Sequence, residues 1–125
     1  EDNAIIGGCL GIHQFVQIGY LAMVGGMTRV DRDVPPFSLA EGHPGRLRGL
    51  NRVGIKRSRL IENNLLDQRL LLKIWNLLFK SDYVISNALD LAMQENLDFS
   101  SSKLCGFVKE SISKNRRGPM PVIIL

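Results

Sequence analysis

Two histidines, two cysteines and one dense run of cations are the side chains here with the most chemistry to offer. His13 precedes Gln14, and His43 precedes Pro44 in a glycine-rich stretch. A catalytic zinc site ordinarily takes three protein ligands. Two histidines so placed do not supply such a set, and no metal site or cofactor is expected. Cys9 and Cys105 are far apart and form no C-x-x-C pair, so they read as small buried hydrophobes in a reducing, cytoplasmic setting. Arg46, Arg48, Arg52, Lys56, Arg57 and Arg59 fall within fourteen residues, and Lys114, Arg116 and Arg117 form a second group. Such groups attract anions, whether phosphates or an acidic protein partner. The second group reads as solvated surface. No aromatic residues interleave with the first group to stack bases, so nucleic acid is not the expected partner.

The elements that must hold these groups follow from a repeat. Ile6, Ile12, Ile18, Val24 and Val30 recur at six-residue steps. Ala4, Leu10, Val16, Ala22 and Thr28 stand two places before them, a phase that continues to Val34. Helical spacing of three and four does not produce this, nor does simple strand alternation. A chain that makes a short strand and turns a corner every six residues does, and three such sides close one triangular coil. Glycine follows the aliphatic at Gly7, Gly19 and Gly25 and is expected to serve the corner by its backbone freedom. His13 and Asp31 interrupt that position, so the His13 ring is expected to project from the coil. Pro35 and Pro36 are expected to end the sheet. Residues 1–36 thus make about two coils, fewer than a solenoid usually needs, and the parent protein is expected to extend upstream of Glu1.

Residues 37–57 are expected to be an extended connector, broken by Gly42, Pro44, Gly45 and Gly49. Residues 58–118 are expected to be helical. One helix carries Leu70, Leu71, Ile74, Leu77 and Leu78 with Trp75 beside them. A second, capped by Ser81-Asp82, carries Val84, Ala88, Leu91 and Ala92. A third starts at Ser100 to Ser102 and carries Leu104, Phe107, Val108 and Ile112, ending at Gly118-Pro119. The apolar tail 119–125 is unassigned, and no run of about 18 apolar residues is long enough to span a membrane. The expected fold is mainly β with α: a parallel β-helix of hexapeptide repeats, then a small α-helical domain.

Several runs carry a resemblance. Ala4-Ile5-Ile6-Gly7-Gly8, Ile12-His13-Gln14-Phe15, Met23-Val24-Gly25-Gly26 and Asp33-Val34-Pro35-Pro36 resemble the C-terminal half of the UDP-N-acetylglucosamine 3-hydroxyacyltransferase family. So does Gly49-Leu50-Asn51-Arg52-Val53-Gly54-Ile55-Lys56-Arg57. The resemblance implies a left-handed β-helix, a homotrimer with active sites in clefts between subunits, and transfer of a 3-hydroxyacyl chain from acyl carrier protein to UDP-N-acetylglucosamine at the start of lipid A synthesis. It implies that a histidine upstream of Glu1 is the general base, a role suited to a group that titrates near neutral pH. It places His13, Gln14, Asn51 and Arg57 as substrate contacts and Gly26 at the position that sets acyl length, where glycine favours a long chain. Val53 departs from an acidic residue of the family, and Ser58 from a second arginine. Basic residues of the helical part, Arg59, Arg69, Lys73 and Lys80 among them, are candidates to meet acyl carrier protein. A related acyltransferase acting on another nucleotide sugar and a non-catalytic trimerising fragment are the alternative readings.

Overall fold

The structure, a computed structural model, describes residues 1–8, 11–113 and 116–123. Cys9, Leu10 and Lys114, named above, fall outside the described residues. The chain opens with four two-residue strands, β1 (Ile5–Ile6), β2 (Gly11–Ile12), β3 (Met23–Val24) and β4 (Arg29–Val30). Strands this short follow from a corner every six residues. β1 pairs with β3 and β2 with β4, both parallel, in a register of 18 residues. Parallel pairs ordinarily need a helical crossover; here one full turn of the coil is the crossover. Val24 and Val30 point into the coil and are fully buried, as are Ala22 and Thr28. The Thr28 hydroxyl is satisfied inside by donating to the Gly25 carbonyl at 2.7 Å.

Pro35 and Pro36 do not end the sheet. β5 (Ser38–Glu41) continues it by pairing parallel with β3, but in a register of 16 residues. The Ile18–Val34 bridge has the same shortened register. The two residues are lost between Val30 and Val34, before the prolines, and Val34 takes the interior column opposite Ile18. β6 (Arg46–Leu50) then folds back antiparallel on β5, so a hairpin replaces the expected extended connector. Gly42, with φ +103°, turns the chain between them.

The corner glycines also act differently from expectation. Gly7, Gly19 and Gly25 do not have positive φ. They are needed because the next coil passes so close: a Cβ at Gly19 would stand 2.5 Å from the Pro36 nitrogen, and one at Gly7 2.9 Å from that of Gly26. The left-handed conformation falls instead on Asn3, Phe15, Leu21 and Met27, three places before Ile6, Ile18, Val24 and Val30.

Among the described residues four helices follow: α1 (Arg52–Arg57), α2 (Gln68–Phe79), α3 (Ile85–Ala92) and α4 (Phe99–Ser111). Helix therefore begins before Ser58, residues 58–64 are turns, and the last helix stops at Ser111 rather than at Gly118. Ser81-Asp82 does not cap α3; the Ser81 hydroxyl donates to the Leu77 carbonyl, and Val84 occupies the cap position. Asp98, rather than the serines after it, caps α4 by accepting from the Ser101 N–H at 2.8 Å. Leu71, Ile74, Trp75 and Leu78 of α2 pack in one continuous core with Ala88 and Ala92 of α3, Leu104 and Val108 of α4, and the coil. Trp75 Nε1–H donates to the Ser38 hydroxyl on β5 at 2.8 Å, tying α2 to the strand stacked on the second coil. The tail is part of the same body: Met120 is fully buried, and bridges join Pro119 to Asp33 and Val122 to Leu47.

Candidate functional site

His13 leaves β2 where other hexads place a corner glycine. Its N–H donates to the Val30 carbonyl at 2.6 Å, which fixes the backbone while the ring stands exposed. Nδ1 lies 2.8 Å from the Gln14 carbonyl oxygen; a hydrogen bond there places the proton on Nδ1 and leaves Nε2 facing outward. Gln14 and Phe15 form the tip of the corner, and Phe15 is 83% exposed in a left-handed conformation. His13 and Gln14 line a small cavity of about 140 Å³ with Val16, Arg32, Asp33 and the tail residues Arg116 and Arg117.

The electrostatics of this cavity are set by Asp33, which is buried at 4% exposure. Arg116 Nη2–H donates to Asp33 Oδ2 at 2.6 Å and Nε–H at 3.2 Å. Those hydrogen bonds, with the carboxylate charge behind them, raise the Arg116 guanidinium above its ordinary value. The second basic group is therefore not simply solvated surface: Arg116 is paired and partly buried. Arg32 and Arg117 cross, Arg32 donating to the Arg117 carbonyl at 2.6 Å. Neither has a carboxylate partner among the described residues, so the cavity carries net positive charge.

Asn51 and Arg57 sit at opposite ends of α1. Asn51 is 4% exposed, and its side chain is engaged within the chain. Its amide N–H donates to the Leu21 carbonyl at 2.9 Å, and its Oδ1 accepts from the Gly54 N–H at 3.1 Å. It caps α1 and fastens that helix to the coil. Gly54 has to be glycine for the same reason, since a Cβ there would stand 2.3 Å from the Asn51 amide nitrogen. Arg57 is exposed in the last turn, and Arg52, Lys56, Arg57 and Arg59 have no ion-pair partner among the described residues. Ser58 donates to the Ile55 carbonyl at 2.6 Å and ends the helix, and Val53 is 59% exposed on its outer side. Gly26 is exposed with nothing within 4 Å of an added Cβ, so this position accepts a side chain freely.

The structure thus gathers His13 and Gln14 in one cavity and leaves Asn51, Arg57 and Gly26 outside it. Sequence reasoning missed Asp33 and Arg116 as members of that cavity. The only signal was an acidic residue just before a Val-Pro-Pro run, which is ordinary for a corner. It also missed a larger groove of about 490 Å³ between α1 and α2, where apolar Leu50, Ile55, Ile61 and Leu72 lie under Arg52, Lys56 and Arg69. Among the described residues no cluster of histidine, cysteine and carboxylates could hold a metal ion, and no helix is long and apolar enough to cross a membrane.

Residues 33–120 match the family described as UDP N-acetylglucosamine O-acyltransferase, domain 2. The chain is 43% identical over 122 residues to an acyl-[acyl-carrier-protein]–UDP-N-acetylglucosamine O-acyltransferase of Synechocystis, and 41% identical over 122 residues to one of Gloeothece citriformis. Each alignment covers 97% of this chain and 43% of the relative, so the chain spans less than half the length of these proteins. Among solved structures, the Arabidopsis UDP-N-acetylglucosamine acyltransferase superposes with a TM-score of 0.83 at 27% identity, covering 96% of this chain and 43% of that one. LpxA from Acinetobacter baumannii superposes with 0.80 at 28% identity, covering 95% and 44%.

Proposed function

The chain belongs to the UDP-N-acetylglucosamine O-acyltransferase domain 2 family, and from that premise we propose that the whole protein transfers a 3-hydroxyacyl chain from acyl carrier protein to the 3-hydroxyl of UDP-N-acetylglucosamine, the first step of lipid A synthesis. The observation that carries the reading is a match over nearly the whole chain, with His13-Gln14 exposed at one corner of a parallel coil and a basic helix docked beside it. The coil is read as the left-handed β-helix of hexapeptide repeats, the helices as its C-terminal domain, and the protein as a cytoplasmic homotrimer whose clefts bring Arg57 and Gly26 toward His13 of a neighbouring subunit.

In this reading His13 and Gln14 hold the sugar and acyl groups by hydrogen bonds at the cleft, and no general base is assigned to the residues of this chain. Arg57 grips phosphate oxygens of the nucleotide, which its forked guanidinium suits better than an ammonium would. Asn51 serves the nucleotide through α1: by fixing the first turn to the coil it fixes the direction in which Arg57 leaves the last one. The open surface at Gly26 leaves room for a long acyl chain. The groove under Arg52, Lys56 and Arg69 offers cations and apolar anchors to an acidic carrier protein.

Steady-state kinetics of the full-length enzyme test this. Arg57→Ala is expected to raise KM for UDP-N-acetylglucosamine about tenfold or more while leaving KM for acyl donor near its starting value. Gly26→Met is expected to shift preference toward shorter acyl donors. Unchanged KM with Arg57→Ala would remove the nucleotide assignment, and no transfer to UDP-N-acetylglucosamine by the unaltered enzyme would remove the reaction.

A further inference from the structure

The corner that carries His13 and Gln14 has few fastenings of its own. Its first end is held by the His13 N–H on the Val30 carbonyl. Its far end is Gln17, whose carbonyl accepts from the Val34 N–H at 2.9 Å. The Gln17 N–H does not find a backbone partner among the described residues; it donates to the Asp33 carboxylate, Oδ1, at 2.8 Å. Between these ends the chain reverses at Phe15 with positive φ, and the backbone hydrogen bond inside the corner is a long one, 3.4 Å from the Val16 N–H to the His13 carbonyl.

The placing of Asp33 follows from the short coil. Where the register drops from 18 to 16 residues, the Gln17 N–H meets the Asp33 side chain instead of a main-chain carbonyl. A buried carboxylate is costly unless its oxygens are filled. Here Oδ2 accepts from the Ser111 hydroxyl at the end of α4 at 2.7 Å and from Arg116 in the tail at 2.6 Å. The Asp33 carbonyl also accepts from the Met120 N–H at 2.7 Å. One residue therefore joins the far end of the His13 corner to the last helix and the tail, and the same carboxylate and Arg116 form a wall of the cavity that His13 and Gln14 line.

We infer that Asp33, clamped by Ser111 and Arg116, is a positioning residue for the His13-Gln14 corner, and that the C-terminal tail is thereby part of the substrate site. This rests on the reading of His13 and Gln14 as substrate contacts. Asp33 and Arg116 act through the corner and not on the substrate.

The test uses the full-length enzyme. Asp33→Asn keeps the shape and one acceptor oxygen but removes the charge that holds Arg116, and Arg116→Met removes the cation from the partly exposed side if Asp33→Asn fails to fold. Each is expected to lower kcat about tenfold, a coupling of the size seen between residues of one hydrogen-bond network, with Arg116→Lys recovering part of the loss. In a His13→Ala background the same substitutions are expected to change kcat less than about twofold, because the ring they position is gone. Equal losses in both backgrounds would overturn the inference. The ring proton resonances of His13 give a readout independent of activity: both substitutions are expected to move them, and unmoved resonances overturn it as well. Should His13→Ala leave turnover intact, the reading of His13 as a substrate contact falls, and the ring resonances alone then decide whether Asp33 positions the corner.

Discussion

The two coils are built from the same pattern and end in different surroundings. Ile6 and Ile12 of the first coil are 46% and 49% exposed, whereas Val24 and Val30, directly across from them, are at 0%. The residue class, the position in the hexad and the register are the same. What differs within residues 1–125 is the second neighbour: the second coil lies between the first and β5, the tail and α2, whereas these residues cover the first coil only through the second. In a solenoid each layer is stabilised by its intrinsic strength plus its contacts above and below. A six-residue period therefore specifies which column a side chain joins and leaves open what covers it.

The largest expected effect breaks the cover of the second coil. Trp75 is 1% exposed, donates to Ser38 on β5 and meets Phe79 edge-on at 5.1 Å between ring centres. Trp75→Ala should cost about 3–5 kcal/mol, as for large aromatic truncations in cores, read from urea unfolding of this chain. A loss under about 1 kcal/mol would mean that α2 does not hold the second coil.

A smaller effect tests how dry the covered side is. Burial pushes the Cys105 thiol up to about 11 from an ordinary 9.0. The folded value lies above the unfolded one, so this contribution is complete below about pH 9 and is lost as pH rises toward 11. Above the unfolded value, each further pH unit favours the ionised thiolate of the unfolded chain by about 1.4 kcal/mol. Raising the pH from 8 to 10.5 should therefore weaken the chain by about 2 kcal/mol more than it weakens the Cys105→Ala variant. Equal losses would show water reaching the thiol.

Hydrogen exchange compares the coils without mutation. In residues 1–125 taken alone, the amides of Ile5, Gly7 and His13 in the first coil should exchange about tenfold faster than those of Gly25 and Arg29 in the second, because a layer packed on one side opens locally at lower free energy. Uniform protection would mean that the coils open together.

Sequence legibility follows the same division. The columns of the coil and the buried faces of α2 and α4 are periodic, and periodicity is what a sequence displays. The hairpin at β5 and β6 was hidden because Gly42, Pro44 and Gly45 also suit an open connector. The left-handed residues were hidden because Phe15, Leu21 and Met27 are not residue types that favour that conformation; tertiary packing imposes it, at about 1–3 kcal/mol each. In the candidate site, His13 was legible as a break in the glycine rhythm, and Gln14 only through the resemblance. Asp33 was not, because its partners Ser111 and Arg116 lie some eighty residues away, and nothing local marks a carboxylate that will be buried.

The finest comparison truncates the same column in each coil. Val30→Ala removes two carbons from a fully buried side chain and should cost about 2 kcal/mol, from lost transfer energy and the void left behind. Ile12→Ala removes three carbons, yet in residues 1–125 taken alone half of that side chain is already in water, and the first coil can close over the space from the side these residues leave unpacked. Its expected cost is about 1 kcal/mol. The larger truncation thus has the smaller effect, an inversion that side-chain size alone never produces. Paired unfolding curves of the two variants decide it. If Ile12→Ala is the costlier, the first coil is packed by something other than the second, and the asymmetry between the coils is one of shape and not of energy.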